Sequence, residues 1–486
     1  MLGNFMPHAA EYLRFLPEIV LSVFGALIMV LEAITSEGQK TSLGVLSLSG
    51  IAIAFAADVY AATNPGQAFQ NMITVDGYGT FFRGLVLVVG FLCILMSFSY
   101  LKREKAQTGE YYALILFSLV GQCVLVTANN LIIVFIGLEI SSIATYILAG
   151  FLRDDRRNNE AALKYFLLGS FATAFLLYGI AWIYGIAGST NLEEIRTRLA
   201  DQSISPVLIG LAAGLMFVGF AFKVSVAPFQ VWAPDVYQGA AAPVSAFMSA
   251  GPKAAAFAVF FRVFMTSFGP MNDRWVYLIW ACALLSMVIG NFAALLQTNV
   301  KRLLGYSSIA HAGYVLIAFT AHSQIGIAAA MFYLVSYALM NIGAFAVVSH
   351  VASRNEKYVK IEDLSGLGQR EPATAALLAI FVFSLIGVPL TGGFFAKFYI
   401  FKAALDSHLV WLTILGLINS AIAAYYYLKI IVAIYMHEPG PATLELAPPS
   451  AGERVAIWGS ALGTLFLGIF PSALLSFASV SAAGLR

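Results

Sequence analysis

The amino-acid sequence predicts an all-α integral membrane protein with about fourteen transmembrane helices. Of its 486 residues, 60% are hydrophobic and only 11% are charged, whereas a soluble globular protein carries roughly 25% charged residues. Apolar runs of about 18 residues or more, long enough to cross a bilayer as helices, recur between short polar loops. A soluble fold could not bury this much apolar surface, so the composition indicates that lipid is the solvent.

Each predicted span ends where polar or charged residues interrupt an apolar run. The predicted spans are 15–35, 41–62, 79–100, 110–127, 129–151, 160–186, 206–232, 241–267, 273–297, 302–321, 324–351, 374–404, 408–437 and 454–478. Only Asn129 and Asn130 divide the fourth span from the fifth. Farther along, Thr190 to Glu193 has the pattern of a capping box, followed by apolar residues at helical spacing. This pattern indicates either a short amphipathic helix on the membrane surface or a plain solvated loop.

The charges in the loops predict the orientation of the chain. Fourteen lysines and arginines fall in loops that follow odd-numbered spans, against five in the even-numbered loops and both termini. Because cytoplasmic loops carry an excess of these residues, both termini are predicted on the periplasmic side of a bacterial inner (plasma) membrane. The N-terminus has no basic n-region and no cleavage site, so the first span is predicted to be a retained helix rather than a signal peptide.

Motifs for cofactors are missing from the sequence. Cys93, Cys123 and Cys282 stand singly in apolar runs, without the grouping that iron–sulfur clusters and structural zinc need. No GxGxxG motif after a strand, Walker A motif, or haem or flavin signature is present. We therefore expect no cofactor and no metal in this chain. The net charge of +2 gives no reason to expect nucleic acid as a partner.

Ionisable residues inside the predicted spans are the candidate functional residues. Glu139, Lys223, Lys253 and Lys397 lie well inside apolar runs, and Lys164 lies near a helix start. A charged side chain at the bilayer centre costs about 2.5–3.5 kcal/mol on insertion scales, so it usually faces a protein interior, a partner or water. The structural alternatives are an inert ion pair or a neutral acid for Glu139, and a snorkelling side chain for Lys164.

Lysine is chemically suited to binding and releasing protons inside a membrane. Its free pKa is about 10.4, and its ammonium group loses a proton more readily when buried and holds it more tightly beside an anion. Two unit charges about 4 Å apart at an effective dielectric of 20 interact by roughly 4 kcal/mol, or about three pK units. A carboxylate that approaches or withdraws can therefore load or unload a buried lysine, and Glu139 with Lys223 is the predicted pair.

Helix breakers lie close to the buried lysines. The residues concerned are Pro228, Pro234, Pro243 and Pro252 around Lys223 and Lys253, and Gly387, Pro389, Gly392 and Gly393 before Lys397. Transporters use discontinuous helices of this kind at the membrane midplane, although any single proline is often only a packing kink.

Two further residues are candidates for moving protons. His311 is the only histidine well inside a predicted span, where it either relays protons or bonds, uncharged, to a neighbouring helix. Asp235, at the end of the proline-rich helix, either anchors a loop or opens a proton exit.

The stretch KVSVAPFQVWAPDVYQGAAAPVSAFMSAGPKAAAF, at 223–257, resembles the antiporter-like membrane subunits of respiratory complex I. Subunits of multi-subunit cation/proton antiporters belong to the same family. The resemblance covers nearly the whole chain and is strongest from Glu139 to Lys397. One branch of the family typically carries glutamate where Lys397 stands, and the longest branch has a lateral helix that this chain lacks. Both differences argue against those two branches.

The resemblance implies two inverted five-helix repeats, each with one broken helix, at the helices of Lys223 and Lys397. The implied division is three helices at 1–109, a first repeat at 110–267, a second repeat at 273–437 and a C-terminal helix at 454–486. The positions that match the family's proton-carrying residues are Glu139, Lys164, Lys223, Lys253 and Lys397. The chain departs from the family at Gln230, where histidine is common. Glutamine cannot carry a proton by titration.

The function implied by the resemblance is proton translocation in the membrane arm of NADH–quinone oxidoreductase, driven by quinone reduction elsewhere in the complex. Lys223 with Glu139 would load protons, Lys253 and His311 would relay them, and Lys397 would release them. FMN, iron–sulfur clusters and quinone would lie in or near other subunits. The expected partners are neighbouring membrane subunits, the peripheral redox arm and the lipid bilayer. The alternatives are a subunit of a sodium/proton antiporter complex and a structural scaffold with inert buried charges.

Overall fold

The structure is a computed structural model that describes residues 8–200 and 204–485. The chain folds into a bundle of helices with a two-stranded antiparallel hairpin of β1 (Gly66–Ala68) and β2 (Ile73–Val75). The α-helices of the described residues are α1 (Ala9–Arg14), α2 (Leu16–Glu32), α3 (Thr41–Ala61), α4 (Gly77–Glu104), α5 (Gly109–Thr127), α6 (Leu131–Ala149), α7 (Arg156–Ala187), α8 (Leu192–Leu199), α9 (Pro206–Lys223), α10 (Trp232–Gly239), α11 (Ala242–Thr266), α12 (Asn272–Leu295), α13 (Val300–Thr320), α14 (Gln324–Val351), α15 (Leu367–Arg370), α16 (Pro372–Ile386), α17 (Gly392–Asp406), α18 (Val410–Met436), α19 (Pro441–Leu444), α20 (Ala451–Ile469) and α21 (Pro471–Ala482).

The prediction of a helical, multi-pass membrane protein is confirmed. Among the described residues, eleven helices are long and apolar enough to cross a membrane, or twelve if the bent pair α20 and α21 forms one span. This number is smaller than the predicted fourteen because α2 has only 17 residues and the predicted span 374–404 is divided into two helices of 15 residues each.

Two predicted spans are broken near a lysine, at the positions that the family resemblance implies. The span 206–232 stops being helical after Lys223 and resumes at Trp232, whose indole N–H donates to the Phe222 carbonyl at 2.9 Å. The span 374–404 is interrupted after Ile386 because Gly387 adopts a left-handed conformation with φ of 94°. Both breaks agree with the helix breakers found in the sequence around Lys223 and before Lys397.

The C-terminal span 454–478 is wrong as a single helix. Helices α20 and α21 meet at an angle of 85°. The bend falls at Pro471, which occupies the first position of α21 and has no N–H to continue the hydrogen bonds of α20.

The short helix predicted after Thr190 is confirmed as α8, but its cap was assigned one residue too early. Asn191 is the N-cap, and its side chain accepts from the backbone N–H groups of Glu193 and Glu194 at 3.1 and 3.3 Å. The apolar residues of α8, Leu192 among them, are buried against the protein.

Helix α11 lies at the centre of the bundle, and every residue of its apolar span is buried. Helices α13 and α14 pack nearby and are almost as completely buried. Helices α3, α7 and α18 instead leave more than half of their apolar spans uncovered. The central helices carry Lys253 on α11 and His311 on α13, whereas the outer helices offer apolar faces to lipid or to other proteins.

Glycine allows α5 and α6 to pack backbone against backbone. A Cβ atom on Gly121 would lie 2.4 Å from the backbone nitrogen of Ser141. We expect Gly121→Val to separate the helices and to cost at least about 1–3 kcal/mol, the usual range for overpacking. Thermal unfolding of the purified protein measures the loss. Gly185→Val is the control because nothing lies within 4 Å of a Cβ on this glycine of α7; equal stability of the two variants would contradict the prediction.

Candidate functional site

Four of the six predicted site residues lie in a continuous buried row through the middle of the bundle. Lys223, Lys253, His311 and Lys397 are 5%, 3%, 3% and 6% exposed, respectively. We call these four residues the lysine row. It runs from the end of α9 through α11 and α13 to α17, so it includes a residue at each of the two broken helices.

Lys223 is held by hydroxyl groups and aromatic rings. It is the last residue of α9, and its ammonium group donates to Ser142 Oγ at 2.8 Å and to the Tyr165 hydroxyl at 3.2 Å. Its Nζ lies 5.9 Å from the ring centre of Tyr146 and 5.5 Å from that of Tyr165. The ammonium group is therefore held by neutral oxygens and ring faces, which stabilise it less than a carboxylate would.

An aromatic wall joins Lys223 to the second lysine. The ring of Tyr165 stacks on Trp232 with centroids 4.4 Å apart, and Trp232 meets Tyr237 edge-on at 5.9 Å. Lys253 Nζ lies 6.0 Å from the centre of the Tyr237 ring. The wall is built partly from α10, so the break after α9 brings these rings between the two lysines.

Lys253 contacts the helix that carries the histidine. Its ammonium group donates to Ser308 Oγ at 3.0 Å and to the Ser308 carbonyl at 3.2 Å. His311 follows Ser308 by three residues on α13, so the two lie on neighbouring positions of one helix face. Pro252, inside α11, has no N–H and interrupts the helical hydrogen bonds beside Lys253.

His311 is surrounded by tyrosines. Its Nδ1 lies 2.6 Å from the Tyr333 hydroxyl and its Nε2 lies 3.4 Å from the Tyr427 hydroxyl. A hydroxyl group either donates or accepts, so this setting accommodates both tautomers and the charged imidazolium. The ring of Tyr314 continues the row, 5.8 Å from the His311 ring and 5.1 Å from Lys397 Nζ.

Lys397 caps the broken helix of the second half. Its ammonium group donates to the carbonyls of Leu385 and Ile386 at 3.1 and 2.8 Å, and to Ser420 Oγ at 2.8 Å. Those carbonyls lack helical partners because α16 ends there, before Gly387. The C-terminal end of a helix carries partial negative charge, so the end of α16 attracts a cation to this position.

Glu139 lies outside the lysine row. It is half-buried, on the stripe of α6 that also carries the exposed Ile136 and Ile143. The ammonium group of Lys223 reaches Ser142, one helical turn from Glu139, rather than the carboxylate itself. The predicted Glu139–Lys223 ion pair is therefore not formed in this structure and stays a prediction.

Lys164 belongs to a separate charged cluster at the edge of the bundle. It pairs with Asp235 at 2.8 Å and with Glu160 at 2.6 Å, and its side chain is 41% exposed. Asp235 also pairs with Arg302 at 2.6 Å. Asp235 therefore ties α10 to α7 and α13, which is the anchoring alternative left open by the sequence.

Gln230 is buried in the break between α9 and α10. Its side-chain oxygen accepts no hydrogen bond from the described residues. Among these residues, no group of three or more His, Cys, Asp or Glu side chains is placed to hold a metal ion.

The buried ionic groups that sequence reasoning missed include two between distant helices and loops. Arg83 pairs with Glu18 at 2.6 Å and lies 3.7 Å from Asp58, joining α4 to α2 and α3. Lys301 pairs with Glu356 at 2.5 Å. A search for carboxylates within the predicted spans would have found Glu18 and Asp58, because both lie in apolar stretches. Glu356 lies in a polar stretch between spans and gives no such signal.

A membrane bundle in which a buried row of lysines has one member at each of two broken helices is typical of an antiporter-like membrane subunit. Residues 128–423 match the family model described as NADH:quinone oxidoreductase/Mrp antiporter, transmembrane. The chain is 60% identical to NADH-quinone oxidoreductase subunit N 1 of Solibacter usitatus (strain Ellin6076), over 98% of both proteins. The chain therefore belongs to the NADH-quinone oxidoreductase subunit N family. This agrees with the sequence differences that argued against two other branches.

Solved structures agree with this family. A chain of respiratory complex I from Thermus thermophilus with bound aureothin is 33% identical, with a TM-score of 0.81 and coverage of 95% of this chain and 98% of that one. A chain of the Mrp complex from Dietzia sp. DQ12-45-1b has a TM-score of 0.85 over 97% of both chains at 20% identity. The second likeness shows a shared fold alone, so the fold does not separate a complex I subunit from an antiporter subunit. The sequence relatives favour complex I.

Proposed function

We propose that this chain translocates protons as a membrane-arm subunit of NADH–quinone oxidoreductase. The observation that supports this most strongly is the lysine row, in which three buried lysines contact hydroxyls, carbonyls and rings rather than carboxylates. Inert structural ion pairs would instead place an anion beside each cation. Buried lysines that lack a fixed counter-ion suit reversible proton binding, because small changes in their surroundings shift the charged state.

Glu139 and Lys223 form the proposed loading pair. Ser142, which accepts from Lys223, lies one turn from Glu139 on α6. A modest rotation of α6 or a change of side-chain rotamer therefore brings the carboxylate toward the ammonium group. At about 4 Å and an effective dielectric of 20, the attraction between two unit charges is roughly 4 kcal/mol, enough to make proton binding at the lysine depend on the approach of the carboxylate.

The remainder of the row relays and releases the proton. Lys253 and His311 act as relays through Ser308 and the surrounding tyrosine hydroxyls, and Lys397 acts as the release group. Lys164 lies outside the lysine row, at the edge of the bundle, and exchanges protons with the row through its ion pair with Asp235. Gln230 carries no proton, so the proposed route uses the buried lysines and not this position.

We also propose fourteen spans with two inverted repeats, at 110–267 and 273–437, flanked by helices at 1–109 and 454–486. One broken helix in each proposed repeat supports this division. The odd-numbered loops are assigned to the cytoplasm and both termini to the periplasm. Contacts of Asn355 with Arg157 and Glu104 join three odd-numbered loops at one end of the bundle, which supports a common side for these loops. The excess of lysine and arginine in the odd-numbered loops supports the cytoplasm as that side.

The proposed partners are the other membrane subunits, the peripheral redox arm and the lipid bilayer. FMN, iron–sulfur clusters and quinone are assigned to other subunits of the complex. Exposed apolar residues on the outer helices, such as Phe171 and Trp411 at 67% and 73% exposure, support contacts with lipid or neighbouring subunits.

Affinity purification of the chain from its native membrane separates complex I from the antiporter alternative. We expect the tagged chain to carry with it NADH oxidation, a flavin and iron–sulfur clusters, and reconstituted vesicles to acidify on addition of NADH and quinone. The control is the same purification from cells that carry an untagged chain. Recovery of a redox-free assembly that exchanges sodium for protons would contradict the proposal.

A further inference from the structure

A buried ion pair lies at one end of the bundle, outside the lysine row. Lys301 starts α13 and is fully buried, and Glu356 is 7% exposed in the turn after α14. Their side chains are 2.5 Å apart. We call these two residues the clamp because of their backbone contacts.

The clamp holds the link between α10 and α11 from both sides. Lys301 Nζ donates to the carbonyl of Ala240, where α10 ends, at 2.5 Å. Glu356 Oε1 accepts from the N–H of Ala242, where α11 begins, at 2.7 Å. Helix ends have carbonyl and N–H groups without helical partners, and the clamp provides a charged partner for one group of each kind. Glu356 also accepts from the Tyr100 hydroxyl at 3.0 Å.

The turn that presents Glu356 is held in an unfavourable backbone conformation. Ser353, Asn355 and Glu356 have φ values of 57°, 56° and 48°, although none of them is glycine. Such conformations cost free energy and persist where the surroundings impose them. Arg157 donates to the Asn355 carbonyl at 2.8 Å and Glu104 accepts from its N–H at 3.0 Å. The C-terminal end of α4, which carries Glu104, and the start of α7, which carries Arg157, therefore fix the turn that carries the clamp carboxylate.

The clamp and Lys253 act on the same pair of helices. Lys301 and Ser308 are seven residues apart on α13, so they face the same side two turns apart. Ala242 and Lys253 lie three turns apart on α11, whose lysine donates to Ser308. A shift or rotation of α11 at its first turn therefore changes the distance between Lys253 and Ser308.

We propose that Lys301 and Glu356 are positioning residues that fix the start of α11 and thereby hold Lys253 against Ser308. The inference rests on the proposed function, because it assigns the pair a purpose in proton transfer. In this proposal, Lys301 and Glu356 position other groups and do not themselves carry protons. Glu356 accepts hydrogen bonds in fixed geometry and need not bind a proton. A neutral oxygen acceptor can therefore replace it once Lys301, whose ammonium group the amide of a glutamine would face, is replaced as well.

Three variants of the assembled complex in proteoliposomes test the clamp. The double variant Lys301→Met with Glu356→Gln keeps an oxygen acceptor for Ala242 and Tyr100 without placing the glutamine amide against an ammonium group, whereas Glu356→Leu keeps only the size of the side chain. The double variant Lys301→Met with Glu356→Met replaces a buried ion pair by apolar side chains, a change that folded proteins often tolerate. It therefore carries the test even where Glu356→Leu prevents assembly. The readouts are the amount of assembled complex and the number of protons moved per NADH oxidised.

We expect Lys301→Met with Glu356→Gln to move more protons per NADH than the double methionine variant, because it keeps the acceptor that holds Ala242. Glu356→Leu and the double methionine variant should lose the same share of protons as Lys253→Met, measured in parallel. A full proton yield from the assembled double methionine variant overturns the clamp, as does a proton yield from Lys301→Met with Glu356→Gln that is as low as that of the double methionine variant. A full yield from Lys253→Met itself would overturn the proposed function instead, so the two failures are distinguishable.

Discussion

Replacing Lys223 with methionine should stop proton transfer along the lysine row while the assembled complex continues to oxidise NADH. Methionine matches the length of lysine and has no proton to exchange. Since proton transfer by a positioned side chain contributes about 10²–10⁴-fold, we expect transport through this chain to fall by about 10²-fold or more. The number of protons moved per NADH, measured with a pH-sensitive dye in proteoliposomes, reports the loss.

The surroundings of Lys223 make this variant informative. The ammonium group contacts Ser142 and Tyr165 rather than a carboxylate, so methionine leaves no unpaired buried charge to unfold the protein. Lys402→Met is the matched control, because Lys402 lies on α17 with its side chain 52% exposed and pairs with Asp406. A wild-type proton yield in Lys223→Met, with normal assembly, removes Lys223 from the route.

The same measurement of protons moved per NADH tests the role of Glu139. If Glu139 loads Lys223, then Glu139→Gln lowers the proton yield, and the double variant with Lys223→Met loses no more than Lys223→Met alone. Two residues that act as a unit are non-additive, whereas independent residues have additive effects on free energy. Additive losses would mean that Glu139, on the outer stripe of α6, acts separately from Lys223.

Much of the fold follows from hydrophobic length and loop charge, because the membrane requires long helices. Prediction failed at Pro471, which ends a helix inside a run that is otherwise apolar enough to continue. Gly387, by contrast, was among the helix breakers identified before Lys397, and it ends α16 in a left-handed conformation. Asn191 rather than Thr190 caps α8, a shift of one residue that depends on local backbone geometry.

The candidate site was predictable where an ionisable residue lies deep in an apolar run. Lys223, Lys253, His311 and Lys397 all come together as a buried row, although their positions in the sequence are far apart. Sequence could not reveal their actual partners, because tertiary packing and not spacing brings Ser308 to Lys253 or a helix end to Lys397. For the same reason, the similar depth of Glu139 and Lys223 in their spans could not show whether the two side chains are in contact.

Replacing Lys397 with glutamate should impair the complex more than replacing it with methionine. The ammonium group donates to the carbonyls of Leu385 and Ile386 at the end of α16. Methionine leaves the buried Leu385 carbonyl without that donor, at a cost of about 1–3 kcal/mol for a buried unsatisfied group, and leaves the Ile386 carbonyl only the longer hydrogen bond from Ser420 at 3.5 Å. An ionised glutamate adds repulsion from the negative end of the helix, and a protonated glutamate donates only one hydrogen bond. Proton yield and the amount of assembled complex measure both effects.

The comparison separates two roles of Lys397. If any ionisable group served at this position, glutamate would restore the proton transfer that methionine loses. The glutamate that another branch of the family typically carries at this position suggests this outcome. If the end of α16 requires a cation, glutamate falls below methionine in both assembly and proton yield. Lys397→Arg then keeps assembly, since arginine also donates to carbonyls, but loses proton yield because its guanidinium does not deprotonate in proteins. A glutamate variant that pumps better than methionine would show that the carbonyls of the broken helix do not determine which residue can serve at this position.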